Sequence, residues 1–319
     1  GRVVQVPPTG LYVAEVRRAV QEPAPRDITK QGQHLLGDVG SRYARPVLEK
    51  LAELRAAGRD RLLIVPHAAS HFLPLHLAGP PGHLLADDWT VTYLANLAQL
   101  SPKRDSGSHA HAGRRIGAAV FALSYADQPG LPMLDSSAAE ASAIGGILGV
   151  PPVLDGAATE SAFIRALESR RYVHLRAHGR HNVDAPLFQT VFLAPGDGGD
   201  GKLRAHEILG LDLRGLELVT LGACETALGR IDLSDNLRGL PAALLLAGAG
   251  AVIGTLWEVS ADASTTFFTQ LYERLRANYT DLIGAFGAAQ RATRAVHHEY
   301  RDWGAFYMTG GYEGSADRA

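Results

Sequence analysis

The sequence predicts an α/β protein with a mostly parallel β-sheet flanked by helices. Short apolar runs alternate with helical patterns from Ala118 to Thr309, and this alternation implies right-handed βαβ crossovers. Hydrophobic residues make up 46% and charged residues 20% of the chain, which is typical of globular rather than disordered or fibrous proteins. The 319 residues suffice for one large domain or two smaller ones.

The amino-terminal section has a different pattern and predicts a separate α/β subdomain. Leu48, Leu51 and Leu54 recur at three-residue steps, which predicts a helix. A polar stretch at 101–113 then has loop composition and no periodicity. The predicted organisation is an amino-terminal supporting subdomain over 1–105, a linker over 106–117 and a second α/β subdomain over 118–319.

Each element is assigned from its local pattern. Short apolar runs, several of them ended by Pro or Gly, predict strands at 62–65, 89–94, 118–124, 172–176, 191–193, 216–221, 252–256 and 305–308, while the apolar pair 153–154 is too short to assign. Longer amphipathic or apolar segments predict helices at 11–20, 43–57, 136–148, 160–169, 237–249, 263–277 and 281–297. Glycine-rich residues 196–201 predict a hairpin turn. Pro241 is compatible with its helix only near the first turn.

Composition excludes several classes of function. Lysine plus arginine (31) nearly balance aspartate plus glutamate (33), so the charge gives no footprint for nucleic acid or an anionic membrane. The single cysteine cannot form an internal disulfide, and it indicates a cytoplasmic protein whose thiol stays reduced. No apolar run reaches the roughly 18 residues of a membrane span, and the amino terminus lacks signal-peptide features.

Two residues with catalytic chemistry follow predicted strands. His178 and Cys224 lie just past strand carboxyl ends, where ligands gather in an open parallel sheet. A free thiol has a pKa of about 8.5 and is mostly protonated at pH 7, so a neighbouring imidazole could take its proton. Gly179 would let a substrate backbone approach closely. Ordinary packing is the alternative, because free cysteines are commonly buried.

A cluster of histidines is the main competing signal. His67, His71 and His76 lie close together in sequence, and i,i+4 spacing could hold a metal on a helix. Pro66 and Pro74 bracket the segment and disfavour that helix. We therefore predict neither a metal site nor a cofactor.

Two longer blocks resemble a known family. The segments 172–179, YVHLRAHG, and 218–229, LVTLGACETALG, resemble the signature of CHAT domains, which are bacterial relatives of caspases and separases. The resemblance extends over 239–249, 251–259 and 303–310, and upstream over 63–75. It implies a caspase-like catalytic unit over 118–319 and a pseudo-caspase-like supporting subdomain before it.

The resemblance implies a cysteine endopeptidase with a Cys-His dyad. Cys224 would attack a peptide carbonyl while His178 handles protons, and the backbone N–H groups of Gly179 and Cys224 would bind the oxyanion. The partners implied are a protein or peptide substrate and a regulatory protein or fused repeat module that activates the enzyme. The alternative is a catalytically silent scaffold that keeps the fold to bind a protein.

Substrate recognition is predicted from the same resemblance. The pocket before the scissile bond would be built from residues 124–130, with Asp127 as the single charge there, and from Gly222, where family members often carry serine. Asp127 could select arginine or lysine, or it could be a solvated loop residue. Trp257 at a strand end could line a substrate groove or pack in the core.

Overall fold

The protein forms two compact units, Gly1–Tyr93 and Leu94–Ala319. The computed structural model describes residues 37–38, 47–66, 70–71, 73–79, 82–94, 115–126, 128, 130–180, 185–196, 198–222, 230–231 and 237–311. The predicted helix at 11–20 and most of the predicted linker at 106–117 lie outside these residues. Among the described residues, no helix combines the length and the apolar character needed to cross a membrane.

The amino-terminal unit contains a parallel strand pair. Its elements are α1 (Leu48–Ala56), β1 (Arg61–Ile64), α2 (Leu85–Asp88) and β2 (Thr90–Tyr93), and β1 pairs with β2 in parallel. The hydroxyl of Tyr93 accepts a hydrogen bond from the His76 backbone N–H at 2.9 Å and lies 2.8 Å from His76 Nδ1. His76, one of the three clustered histidines, is thus buried against a tyrosine.

The second unit carries the alternating elements that the sequence predicts. Its strands are β3 (Ala118–Ala122), β4 (Val153–Leu154), β5 (Tyr172–Arg176), β6 (Gly179–Arg180), β7 (Thr190–Phe192), β8 (Lys202–Arg204), β9 (Leu218–Leu221), β10 (Arg230–Ile231), β11 (Leu237–Arg238), β12 (Ala251–Thr255) and β13 (Phe306–Gly310). Its helices are α3 (Ser137–Leu148), α4 (Glu160–Ser169), α5 (Ala205–Ile208), α6 (Leu240–Leu246), α7 (Ala261–Ala277), α8 (Leu282–Val296) and α9 (Tyr300–Trp303).

Six of these strands form the main sheet of the second unit. Their order is β4-β3-β5-β9-β12-β13, and all neighbours run in parallel except the antiparallel pair β12 and β13. The predicted mostly parallel α/β fold is therefore confirmed. The chain order reverses beside β3, which lies between β4 and β5 although it precedes both. Such a reversal opens a crevice at the carboxyl ends of the strands.

Helices cover both faces of this sheet. One hydrophobic cluster includes Phe163 of α4 and Leu244 of α6, while the other includes Ile144 of α3, Phe267 of α7 and Phe286 of α8. Odd-numbered residues of β5 and β9 contribute to the first cluster and even-numbered ones to the second, as the alternation of strand side chains requires. The sheet is thus buried between two helical layers.

The helix that follows the Cys224 segment starts later than its sequence suggests. The sequence predicts a helix over 237–249, whereas α6 spans Leu240–Leu246. Leu237–Arg238 instead pairs antiparallel with Arg230–Ile231. Pro241 stands in the first turn of α6, where its missing N–H costs nothing.

A small antiparallel sheet lies beyond the end of β5. β6 pairs with β7, and β7 pairs with β8, so the predicted hairpin is present. Gly196 and Gly199 form a bridge at its tip. β6 begins directly after His178, which places this small sheet next to the candidate site.

Candidate active site

Two neighbouring strands of the main sheet, β5 and β9, end at the candidate site. β5 ends at Arg176, two residues before His178, and β9 ends at Leu221, next to Gly222. The Gly222 N–H donates to the Leu175 carbonyl at 2.8 Å. The chain that leads to Cys224 therefore leaves the sheet alongside the chain that leads to His178.

Two of the predicted site residues cannot be placed. Cys224 and the rest of segment 223–229 lie outside the described residues, and so does Asp127. The structure describes His178, Gly179 and Gly222 at the carboxyl edge of the main sheet.

The His178 imidazole is held by a backbone carbonyl. Its Nε2 lies 2.7 Å from the carbonyl oxygen of Pro132. A carbonyl oxygen can only accept a hydrogen bond, so Nε2 must carry the proton in this contact. In the neutral ring Nδ1 is then the atom with the free lone pair. This tautomer leaves Nδ1 able to take a proton.

Tyr125 contacts both the backbone and the ring of His178. Its hydroxyl accepts a hydrogen bond from the His178 backbone N–H at 2.7 Å and donates one to the Phe192 carbonyl at 2.6 Å. The two rings lie 4.7 Å apart, centroid to centroid, with a tilt of 34°. Tyr125 carries no signal in the sequence, because a tyrosine near a strand end is typical of ordinary core packing.

Gly179 has a backbone N–H directed away from the small sheet. It is the register partner of Val191, while the Phe192 N–H donates to the His178 carbonyl at 2.9 Å. Since polar backbone groups alternate sides along an antiparallel strand, Gly179 is the non-hydrogen-bonded position. Its N–H therefore points away from β7, as an oxyanion donor requires.

A buried arginine holds the backbone before the Cys224 segment. Arg176 Nη1 donates to the Gly222 carbonyl at 2.8 Å. A Cβ atom on residue 222 would lie 3.2 Å from Arg176 Cδ and 3.3 Å from Phe268 Cε2, closer than such atoms usually approach. Glycine therefore fits beside the Arg176 side chain, whereas serine, which family members often carry at this position, would be crowded by it.

Behind Arg176 lies a buried carboxylate. Glu140 on α3 is fully buried, with Oε1 3.4 Å from His174 Nε2 and Oε2 3.9 Å from Arg176 Nε. The Thr265 hydroxyl donates to Oε2 at 3.3 Å. Burial alone would raise the pKa of Glu140, but the contact with His174 and the charge of Arg176 outweigh it, so the pKa lies below its ordinary value.

A small cleft opens beside His178. It has a volume of about 30 Å³, and its lining includes Arg176, Gly222 and the carboxylate residue Glu258. Glu258 carries no signal in the sequence, because a single glutamate after a strand forms no pattern. Trp257 does not line the cleft: it is 1% exposed, and its Nε1 donates to the Arg301 carbonyl at 2.7 Å. This placement matches core packing rather than a substrate groove.

Most of the chain matches one protein family. The CHAT domain model matches residues 34–311. The chain belongs to the CHAT domain family. The search of curated protein sequences gave no match for this CHAT domain.

A solved cysteine proteinase has a similar fold. The CHAT domain is similar to gingipain R, an Arg specific cysteine proteinase, with a TM-score of 0.50 and 11% identity over 94% of this chain and 73% of that one. The pro- and mature domains of RgpB from Porphyromonas gingivalis give a TM-score of 0.50 and 12% identity, covering 94% and 75%.

A separase complex has a similar fold. The separase–securin complex of Saccharomyces cerevisiae gives a TM-score of 0.50 and 16% identity over 78% of this chain. The CHAT domain spans only 15% of that chain. At these identities the similarity establishes a shared caspase-like fold.

Proposed function

We propose that this CHAT domain is a cysteine endopeptidase in which Cys224 is the nucleophile and His178 the general base. The observation that supports the proposal is that His178 and Gly222, two residues before Cys224 in sequence, line the same cleft at the carboxyl edge of the main sheet. His178 Nε2 donates a hydrogen bond to the Pro132 carbonyl at 2.7 Å. The Gly222 N–H donates to the carbonyl of Leu175, on the strand that leads to His178.

The reaction follows from these groups. The Cys224 thiol gives its proton to His178 Nδ1 as its sulfur attacks the peptide carbonyl carbon. The oxyanion that forms accepts hydrogen bonds from the backbone N–H groups of Gly179 and Cys224. His178 then protonates the leaving amine, the C–N bond breaks, and a thioester remains. Water, deprotonated by His178, hydrolyses this thioester and restores the thiol.

Substrate choice and activation are further parts of the proposal. Asp127 follows β3 at the reversal in strand order, where a ligand crevice is expected, and its carboxylate would select arginine or lysine before the scissile bond. Gingipain R, which shares the fold, is an Arg specific proteinase, and a basic preference here is consistent with it. We also propose that a regulatory protein or a fused repeat module activates the enzyme.

Thiol alkylation tests the dyad directly. Cys224 is the single cysteine of the sequence, so iodoacetamide reports on it alone. We expect the wild-type protein to react fast near neutral pH and the His178→Ala protein to react at least about tenfold more slowly, since a thiol of ordinary pKa is only a few per cent thiolate at pH 7. Equal and slow labelling of both proteins would disprove the dyad.

Peptide cleavage tests the activity itself. A peptide library should be cut by the wild-type protein and not by Cys224→Ala, and Asp127→Asn should weaken cleavage after arginine and lysine selectively. If the thiol is activated but no peptide is cut, even with candidate activators, the protein-binding scaffold becomes the better description.

A further inference from the structure

The hydroxyl of Tyr125 replaces one rung of the β6–β7 ladder. In a regular antiparallel pair, His178 and Phe192 would exchange two direct N–H···O=C bonds. One of them is present, from the Phe192 N–H to the His178 carbonyl at 2.9 Å. In place of the other, the Tyr125 hydroxyl bridges the His178 N–H and the Phe192 carbonyl, with distances of 2.7 and 2.6 Å. The bridge holds the backbone of His178 away from β7.

The backbone of Tyr125 adopts a strained conformation where its hydroxyl bridges His178 and Phe192. Its φ is +60°, a left-handed conformation that tyrosine rarely adopts and that usually costs free energy. Asp155, the other non-glycine residue with positive φ among those described, has a φ of +44°. Its Oδ1 accepts hydrogen bonds from the N–H and the hydroxyl of Ser124 at 2.7 and 2.8 Å. The residue next to Tyr125 is thus anchored to the end of β4.

The segment that follows β3 contacts the His178 imidazole at two residues, Tyr125 and Pro132. The Leu134 N–H donates to the Ser124 carbonyl at 2.9 Å, which closes a loop over residues 124–134. This loop supplies the Tyr125 hydroxyl to the His178 backbone, the Tyr125 ring to the imidazole face and the Pro132 carbonyl to Nε2. Three contacts from one loop fix the position, the plane and the tautomer of the ring.

We propose that Tyr125 is a positioning residue that sets the His178 imidazole and the Gly179 N–H for catalysis. This inference rests on the proposed function, because a positioned base matters only if Cys224 reacts. Tyr125 is 4% exposed, and burial raises the pKa of its hydroxyl above the ordinary value. It therefore stays protonated at neutral pH and keeps donating to Phe192.

Tyr125→Phe removes only the hydroxyl. The His178 N–H and the Phe192 carbonyl then lose a partner each, and closing the direct rung would satisfy both. That closure draws His178 towards β7 and away from the Pro132 carbonyl, so Nε2 loses its acceptor and both neutral tautomers become populated. We expect alkylation of Cys224 near pH 7 to slow about tenfold, the equivalent of one lost hydrogen bond.

Tyr172→Phe is the matched control. Tyr172 is a buried tyrosine like Tyr125, and its hydroxyl lies 3.3 Å from Glu217 Oε2. It is the first residue of β5, at the opposite end of the strand from His178. Its substitution should leave the alkylation rate unchanged, while any general loss of stability from a missing tyrosine hydroxyl would be visible in both variants by thermal unfolding.

Two measurements on the full chain decide the proposal. The first is the iodoacetamide rate from pH 6 to 9, where Tyr125→Phe should shift the profile and Tyr172→Phe should not. The second is ¹⁵N NMR of the histidine rings, with His178 assigned through His178→Gln. The wild-type ring should show a protonated Nε2, and Tyr125→Phe should show a mixture of tautomers.

The outcomes separate the two proposals. If Tyr125→Phe alkylates within twofold of wild type at every pH and leaves the His178 ring signals in place, Tyr125 does not position the base. If the wild-type thiol reacts no faster than a free cysteine, the peptidase proposal fails, and the NMR signals still show whether Tyr125 holds the imidazole.

Discussion

His174 Nδ1 and Thr220 Oγ1 lie 2.8 Å apart on neighbouring strands of the main sheet. The two residues are register partners in the pairing of β5 with β9, and both are fully buried. His174 stands four residues before His178, and Thr220 stands four residues before Cys224. A side-chain hydrogen bond thus joins the two strands in register, four residues in sequence before the proposed base on one strand and four before the proposed nucleophile on the other.

Thr220→Val tests this register contact. The Thr220 hydroxyl also lies 2.6 Å from Tyr272 Oη, so valine deprives two buried polar groups of a partner while keeping the shape. We expect the free energy of unfolding to fall by about 2 kcal/mol, measured by urea titration with tryptophan fluorescence. Thr220→Ser keeps the hydroxyl and should recover most of the loss. Equal stability of the valine and wild-type proteins would contradict the role.

Glu140→Gln should reveal a pH-dependent stability. The pKa of folded Glu140 lies below its ordinary value, so its ionised form stabilises the fold above the unfolded pKa of about 4.3, and this contribution is lost as the pH falls through the folded pKa. We expect Glu140→Gln to be less stable than wild type at pH 7, and the difference to shrink below about pH 4.3.

Thermal unfolding from pH 3 to 7 measures this difference. Glu273→Gln, at an exposed position on α7, is the control and should follow the wild-type curve throughout. A gap between Glu140→Gln and wild type that stays constant with pH would mean that the charge of Glu140 does not contribute to stability.

The sequence predicts the fold well where local signals agree with packing. The strand at 172–176 and the helix at 160–169 have the predicted bounds, and the Thr159 side chain caps that helix by accepting a hydrogen bond from the Ala162 N–H. The helix predicted at 237–249 begins three residues late. Leu237–Arg238 pairs with Arg230–Ile231, and that partner is set by tertiary structure rather than by helical propensity.

The candidate site is predictable only in part. His178 and Gly179 stand out because a family signature contains them. The Pro132 carbonyl has no such signal, since every residue has a carbonyl group. Glu140 looks like an ordinary helical glutamate in sequence, and its charged contacts, His174 and Arg176, belong to another element. Supporting groups of this kind become visible only when the elements are packed together.

Gly222→Ser restores the residue that family members often carry and should destabilise this chain. A Cβ on residue 222 would lie 3.2 Å from Arg176 Cδ and 3.4 Å from the Leu175 carbonyl oxygen, so the cost should be about 1–2 kcal/mol. Arg176→Ala should cost more, because it leaves buried Glu140 without its cation.

The two substitutions at this contact should not be additive. Removing the Arg176 side chain makes room for the serine, so the double variant should lose about 1 kcal/mol less stability than the sum of the single losses. A double-mutant cycle by urea unfolding measures this coupling. Additive losses would show that Arg176 does not determine the preference for glycine at residue 222.

Trp257→Phe distinguishes core packing from substrate binding. The indole N–H donates to the Arg301 carbonyl at 2.7 Å, and phenylalanine would remove that donor and leave space in the core. We expect a loss of about 2 kcal/mol in unfolding free energy, with an unchanged KM for any peptide that the library identifies. Trp303→Phe is the control, because Trp303 Nε1 has no hydrogen-bond partner within the described part of the chain, and it should lose less stability. An increase in KM without a loss of stability would instead place Trp257 in a substrate groove.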